Sequence, residues 1–204
     1  NTYWQEQGLL VGSEFRDGNV PAGFEQLRLL KASLAVLPQG VKAVYLRSDS
    51  AGYQQAVLDY CASGKNERFG VIKFAISARI SQAFKAAVRE VPESQWQPLE
   101  KTEENGFCLK TDQEWAEVCF VPNWIGHKKS APVYRYIAMR RKQPTQLLLP
   151  TVSTVVDELE GGETTEVIDA ADVAESSRTA CMHGSVYKVF GLVTNRSLPG
   201  NELI

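Results

Sequence analysis

The first 92 residues alternate between two apolar patterns, one typical of β-strands and one typical of helices. Strand-type runs are continuous or β-branched, whereas helix-type segments repeat apolar residues at a spacing of three or four. The pattern predicts strands at residues 8–15, 41–48 and 68–77, each followed by a helix, at about residues 24–37, 53–63 and 80–91. Such alternation predicts an α/β fold whose sheet has mostly parallel neighbours.

The pattern changes after Pro92. Short alternating runs at residues 106–110, 114–121 and 132–141 predict antiparallel strands of a separate β unit, so the chain is α+β overall. Residues 186–193 form a continuous apolar run that needs cover on both faces. We therefore expect that run to join the strands at 41–48 and 69–74 in one mixed sheet, with a further helix beginning near Asn201.

These patterns divide the chain into three segments. Residues 1–92 are the first part of the core, residues 93–184 are a β-rich insertion, and residues 185–204 return to the core. Within the insertion, residues 151–176 hold eight acids and no Lys or Arg, and residues 151–183 have few large apolar side chains after Leu159. That composition predicts a flexible acidic stretch.

Asp49 stands where the predicted strand 41–48 ends, before the turn Ser50-Ala51-Gly52. In open α/β sheets, ligands and metals bind at the carboxyl ends of strands, so Asp49 is a candidate binding residue. The alternative is a helix cap, a common role for Asp at this position. Asp17 in a predicted turn and Asp59 on a helix are further candidates, for which structural roles are the expectation.

A basic cluster lies between His127 and Lys142, where the chain carries six Lys and Arg residues and no acid. We expect any DNA contact to come from five of them, at the two ends of a hairpin: Lys128, Lys129, Arg140, Arg141 and Lys142. Contacts of this kind bind phosphate and carry little sequence information. The alternative is an ordinary solvated face.

Composition limits the location and the chemistry. The four cysteines lack CxxC spacing and the chain has two histidines, which argues against a zinc site or a disulfide framework and favours a reducing cytoplasm. No apolar run reaches the length of about 18 residues that spans a membrane. The chain begins with Asn1 and no signal segment follows, so we expect it to be a piece of a longer protein.

Four segments, in order along the chain, resemble motifs of DDE insertion-sequence transposases. Residues 46–53, Leu-Arg-Ser-Asp-Ser-Ala-Gly-Tyr, resemble the second-aspartate motif, which reads Leu-Arg-x-Asp-Ser followed by Gly and an aromatic residue. Residues 14–19 resemble the Arg-x-Gly-Asn turn, residues 71–74 the strand after the second aspartate, and residues 189–196 the strand before the catalytic glutamate. The resemblance spans nearly the whole chain.

The resemblance implies a ribonuclease H-like fold with a β-rich insertion between the second aspartate and the glutamate. It implies a catalytic, metal-binding role for Asp49 as one of three carboxylates that hold two Mg²⁺ or Mn²⁺ ions for cleavage and transfer of DNA strands. The implied partners are transposon-end DNA and further copies of the protein. The implied location is the bacterial cytoplasm, in association with the nucleoid when the protein is bound to DNA.

The chain departs from the family in one respect. The first aspartate is expected before Asn1 and the glutamate after Ile204, so this chain by itself is expected not to cleave DNA. Glu202 follows the segment 194–196 too closely to be that glutamate, and no Tyr and Arg precede it in the family's manner. We interpret Glu202 as an acid that starts a helix.

Two other function classes compete with this interpretation. One is a non-catalytic DNA-binding or scaffold module derived from a transposase. The other is a small-molecule α/β enzyme, against which the sequence has no glycine-rich phosphate loop after a predicted strand and no Gly-x-Ser-x-Gly elbow.

Overall fold

The computed structural model describes residues 1–102, 108–124, 134–144 and 178–204. Within these ranges the chain forms nine strands and four helices. The strands are β1 (Thr2–Trp4), β2 (Leu9–Gly12), β3 (Tyr45–Ser48), β4 (Lys73–Ala78), β5 (Gln97–Thr102), β6 (Cys108–Val118), β7 (Arg135–Lys142), β8 (Thr179–Met182) and β9 (Ser185–Thr194). The helices are α1 (Gln26–Ala35), α2 (Gln55–Ala62), α3 (Gln82–Arg89) and α4 (Gly200–Leu203).

The strand and helix order predicted for residues 8–92 is confirmed, with shorter elements than the apolar runs suggested. The helix expected near Asn201 is also present, as the single turn α4. Strands β1, β5 and β8 were not predicted. The sequence of β5, Gln-Pro-Leu-Glu-Lys-Thr, contains a proline and charges, which sheets tolerate at an edge, and β5 is the last strand of its sheet.

Seven of the described strands form one mixed sheet in the order β3-β4-β9-β7-β6-β5, with β8 beside β9. Strands β3 and β4 are parallel, and the other pairs are antiparallel. The remaining strands, β1 and β2, form an antiparallel hairpin. The predicted class, α+β with a mixed sheet, is therefore confirmed.

Strand β9 joins the two halves of the sheet. One edge pairs with β7 from Arg135↔Thr194 to Lys142↔Tyr187, and the other edge pairs with β4 and β8. The prediction that β9 shares a sheet with β3 and β4 is confirmed. The expected separate β unit is wrong for the strands described, because β5, β6 and β7 continue the same sheet through β9.

The sheet has two unequal faces. The larger core lies on the face covered by α1, α2 and α3, here called the helix face, where Phe74, Ile76 and Val193 meet Leu58 and Phe84. The smaller core lies on the opposite face, where α4 places Leu203 over the sheet. Among the described helices, none has both the length and the apolarity needed to cross a membrane.

Candidate functional site at the end of strand β3

Asp49 directly follows β3, the outermost strand of the parallel pair. Its backbone is extended, and its Oδ1 accepts a hydrogen bond of 3.0 Å from the Ala51 amide, which caps the one-turn 3₁₀ helix Ser50–Gly52. The side chain is exposed. Since the cap uses one carboxylate oxygen, the other remains available to solvent or to a ligand, and the two roles predicted for Asp49 are compatible.

Close packing holds the turn that follows Asp49. A Cβ on Gly52 would overlap Ser48 Oγ and lie 2.8 Å from Ser48 Cβ, so the turn requires glycine at this position. The side-chain amide of Gln54 donates from Nε2 to the Ala51 carbonyl at 3.1 Å and also to the Gly23 carbonyl. These two bonds tie the segment before α1 to the turn that presents Asp49.

A groove of about 1250 Å³ runs beside β3 and reaches Asp49. Its walls are β1, the apolar side of α1, and the continuous stretch of residues 40–49. Strand β3 ends the sheet order, so among the described strands none pairs with the edge that faces away from β4. An unpaired strand edge with free backbone donors and acceptors therefore lies along the groove.

The other candidate carboxylates lie in structural settings. Asp59 Oδ1 accepts from the Tyr134 hydroxyl at 3.1 Å, and burial raises the pKa of that tyrosine. The Asp17 carbonyl accepts from the Val20 amide at 3.0 Å and closes a turn. Glu202 lies exposed in the first turn of α4, as predicted.

Metal ligands do not converge in the part of the chain that the structure describes. No group of three His, Cys, Asp or Glu side chains there could hold an ion. Asp49 offers a single carboxylate, and a two-metal site requires several. The described residues alone therefore do not fit the Mg²⁺ or Mn²⁺ that the resemblance implies.

The predicted basic cluster does not form one surface. Lys128 and Lys129 lie outside the described residues. Arg140 and Arg141 are consecutive in β7, so their side chains point to opposite faces of the sheet. Arg141 lies 3.0 Å from an Asp112 carboxylate oxygen and is partly exposed, and Lys142 is exposed at the end of the strand.

The prediction that Arg140 contacts DNA is wrong, because its side chain is 1% exposed and cannot reach DNA in this structure. It lies between the rings of Trp96 and Tyr187, 4.2 and 4.5 Å from their centroids. It donates to both oxygens of Glu93 and, at 2.8 Å, to Glu114. The bond from Arg140 holds the pKa of the Glu93 carboxyl below its usual value. Alternation along β7, Tyr136-x-Ala138-x-Arg140, was a signal for this burial.

A different set of side chains, two basic and one aromatic, was missed. Tyr45, Lys73 and Arg196 are far apart in sequence, but Tyr45 pairs with Lys73 in the β3–β4 register. The Arg196 guanidinium lies 5.0 Å from the centroid of the Tyr45 ring. All three line the groove. No sequence motif links them, because the sheet register alone brings them together.

A smaller cavity of about 370 Å³ adjoins the turn that resembles Arg-x-Gly-Asn. Glu14 there bonds Arg16 at 2.8 Å and also bonds Arg28, and the Arg16 bond holds the pKa of the Glu14 carboxyl below its usual value. The arginine of this turn is therefore already paired with a carboxylate.

Comparison with known proteins does not assign this chain to a family. The chain matches no protein-family model, no curated protein sequence and no solved structure. Any function must therefore be argued from Asp49, the groove and the charges around them.

Proposed function

We propose that residues 1–204 are part of the catalytic domain of a DDE-type DNA transposase, with Asp49 as the second of its three metal-binding carboxylates. The observation that carries the proposal is the position of Asp49, exposed at the carboxyl end of a parallel strand and at the mouth of the groove. Carboxylates at such strand ends are suited to hold hard cations such as Mg²⁺.

The groove supports the ribonuclease H-like part of the proposal. It lies between β1 and the unpaired edge of β3. A strand inserted there would continue the sheet at the usual spacing of about 4.8 Å. We assign this place to the strand expected to carry the first aspartate, which would set that carboxylate beside Asp49.

The chemistry then requires carboxylates besides Asp49, which the resemblance expects outside residues 1–204. Two metal ions held by three carboxylates would activate the attacking oxygen and stabilise the leaving oxygen during strand cleavage. Asp49 would contribute one ligand to that site. The partners in this proposal are transposon-end DNA and further copies of the protein, and its location is the bacterial cytoplasm.

The test is metal-dependent nicking of plasmid DNA by the 204-residue chain and by the longer protein that contains it. We expect no nicking by the chain alone with Mg²⁺ or Mn²⁺, and nicking by the longer protein that Asp49→Asn abolishes. Asn retains the cap acceptor for the Ala51 amide, so the substitution removes the charge and leaves the turn intact.

The matched control is Asp17→Asn, an exposed acid in a neighbouring turn, which should leave nicking unchanged. Nicking by the 204-residue chain that Asp49→Ala abolishes would mean that residues 1–204 already hold every ligand of the active site, contrary to the proposal. Cleavage by the longer protein that survives Asp49→Asn would remove Asp49 from the site.

The second candidate is a non-catalytic DNA-binding or scaffold module derived from a transposase. It is favoured by the lack of three converging metal ligands among the described residues. The same assay separates the two: a module of this class would bind DNA in the longer protein and never nick it.

A further inference from the structure

Tyr45, Lys73 and Arg196 form a continuous row across three neighbouring stretches of chain, here called the basic-aromatic row. Tyr45 and Lys73 are Cα partners in adjacent parallel strands. Arg196 follows Asn195, whose side chain accepts from the Phe74 amide at 2.8 Å and donates to the Ile72 carbonyl at 3.0 Å. These bonds fix the chain at Asn195 against β4, which sets Arg196 beside Lys73.

The face of the sheet that carries the row follows from strand alternation. Phe74 and Ile76 belong to the helix-face core, so Lys73 and Ala75 point to the opposite face. Tyr45 shares that face through its register with Lys73. The row is therefore outside the helix-covered core and open to a partner.

The charges in the row are uncompensated by acids. In the described ranges, neither Lys73 nor Arg196 has a carboxylate oxygen within 4.0 Å, whereas Arg28, Arg135, Arg140 and Arg141 each have at least one. Lys73 is exposed and Arg196 is partly exposed. An anionic partner could therefore approach both cations without displacing an ion pair.

The tyrosine of the row indicates which class of anionic partner can bind. Tyr45 is 63% exposed, and the Arg196 guanidinium lies over its ring. The remaining exposed surface of the ring can stack on a planar group. Cations that follow a phosphate backbone, together with an aromatic ring on which a base stacks, are the combination used to bind single-stranded nucleic acid.

We propose that the basic-aromatic row binds a DNA single strand, with Lys73 and Arg196 on phosphates and Tyr45 stacked on a base. A duplex fits less well, because its bases are stacked on each other and cannot reach the ring. The choice of DNA rests on the proposed function, since a transposase handles strand ends beside its carboxylates. Tyr45 opens the strand β3 that Asp49 follows, so a single strand bound at the row would lie close to Asp49.

The experiment is fluorescence anisotropy of the 204-residue chain with a labelled oligothymidine of about 12 nucleotides, within the usual single-strand footprint. It is repeated at several salt concentrations and with a duplex of equal length. We expect tighter binding to the single strand. Tyr45→Leu should weaken it about 5- to 160-fold, the range for losing one stacked base, and Tyr45→Phe should retain it.

The cations have a separate readout in the salt dependence. The slope of log affinity against log salt should become less steep by about 0.7 for each single-strand phosphate that no longer meets a cation. Lys73→Gln with Arg196→Gln should therefore flatten the slope by about 1.4. Lys65→Gln, at an exposed lysine outside both the row and the groove, is the matched control and should change neither affinity nor slope.

Several outcomes would overturn the inference: no binding by the wild-type chain, equal binding to single strand and duplex, wild-type affinity after Tyr45→Leu, or a salt slope that flattens as much in Lys65→Gln as in Lys73→Gln. Failure here is separate from failure of the proposed function. Asp49→Asn removes a negative charge close to the row and should not weaken this binding, and nicking by the longer protein depends on Asp49, whatever the row does.

Discussion

Arg140 shows how a charged side chain can serve as a core residue. Its guanidinium is stacked between Trp96 and Tyr187, and its donors meet Glu93 and Glu114. The two carboxylates are about half exposed, so they keep part of their hydration while they neutralise the buried cation. Because the charge is paired and the stem is packed, burial of this arginine is tolerated.

Removal of Arg140 should therefore cost stability. Arg140→Ala should lower the free energy of unfolding by about 2–5 kcal/mol, the range for deleting a large buried side chain. Arg140→Lys should retain only part of that free energy, because an ammonium group cannot donate two parallel hydrogen bonds to a carboxylate or stack as a planar group. The measurement is the urea midpoint followed by tryptophan fluorescence.

The neighbouring arginine supplies the control for that series. Arg141 is half-exposed and paired with Asp112 at the surface, so Arg141→Ala should change the unfolding free energy by less than about 1 kcal/mol. Equal effects at positions 140 and 141 would show that burial of Arg140 between Trp96 and Tyr187 adds no more stability than a surface ion pair. A stability change confined to position 141 would contradict the assignment of faces along β7.

At the scale of elements, the turn after β3 depends on one close approach. The 3₁₀ helix Ser50–Gly52 packs back against the end of the strand, and the Asp49 cap, Gly52 and Gln54 hold it there. The geometry that presents Asp49 is thus built from residues in and beside the segment that resembles the transposase motif.

Gly52→Ala should destabilise the protein by about 1–3 kcal/mol, because the added methyl overlaps the Ser48 side chain and the strand end must shift. Gly40→Ala is the matched control, since a Cβ there meets nothing within 4 Å and the residue should tolerate Ala. Thermal unfolding of the two variants measures the difference. A Gly52→Ala protein as stable as Gly40→Ala would mean that the turn relaxes freely.

Predictability from sequence differed among these elements for physical reasons. Strands such as β4 and β9 were found because buried strands need continuous apolar runs, whereas β5 is polar and escaped detection at the sheet edge. The position of Asp49 was predictable because strand and turn are local patterns. The basic-aromatic row was not, since only the register between β3 and β4 and the contact of Arg196 with Tyr45 bring it together.

At the scale of the whole molecule, β9 determines how the parts depend on one another. It pairs with β4 on one edge and with β7 on the other, so the sheet strands on either side share one set of backbone hydrogen bonds. The core on the helix face also runs across this junction, from Leu58 and Phe74 to Tyr136 and Val189. Chain segments that look separate in sequence should therefore unfold together.

Two probes report on the two sides of β9. Of the four tryptophans, Trp96 and Trp115 lie beside and within β5 and β6. With phenylalanine at Trp4 and Trp124, tryptophan fluorescence follows that side. Cys61 is fully buried in α2 on the other side, and burial raises the pKa of its thiol to about 12. Its reaction with a thiol reagent, which requires the thiolate, should be blocked until α2 unfolds.

The last prediction is that both probes give the same urea midpoint. The chain is prepared with serine at the three exposed cysteines, Cys108, Cys119 and Cys181, so that labelling reports Cys61 alone. Coincident transitions are expected for one cooperative unit. Arg140→Ala, which perturbs the β5–β7 side, should lower the Cys61 midpoint as much as the fluorescence midpoint. A lower fluorescence midpoint with unchanged Cys61 protection would show that β5–β7 unfold as an independent unit, and that β9 stays folded with β4 without them.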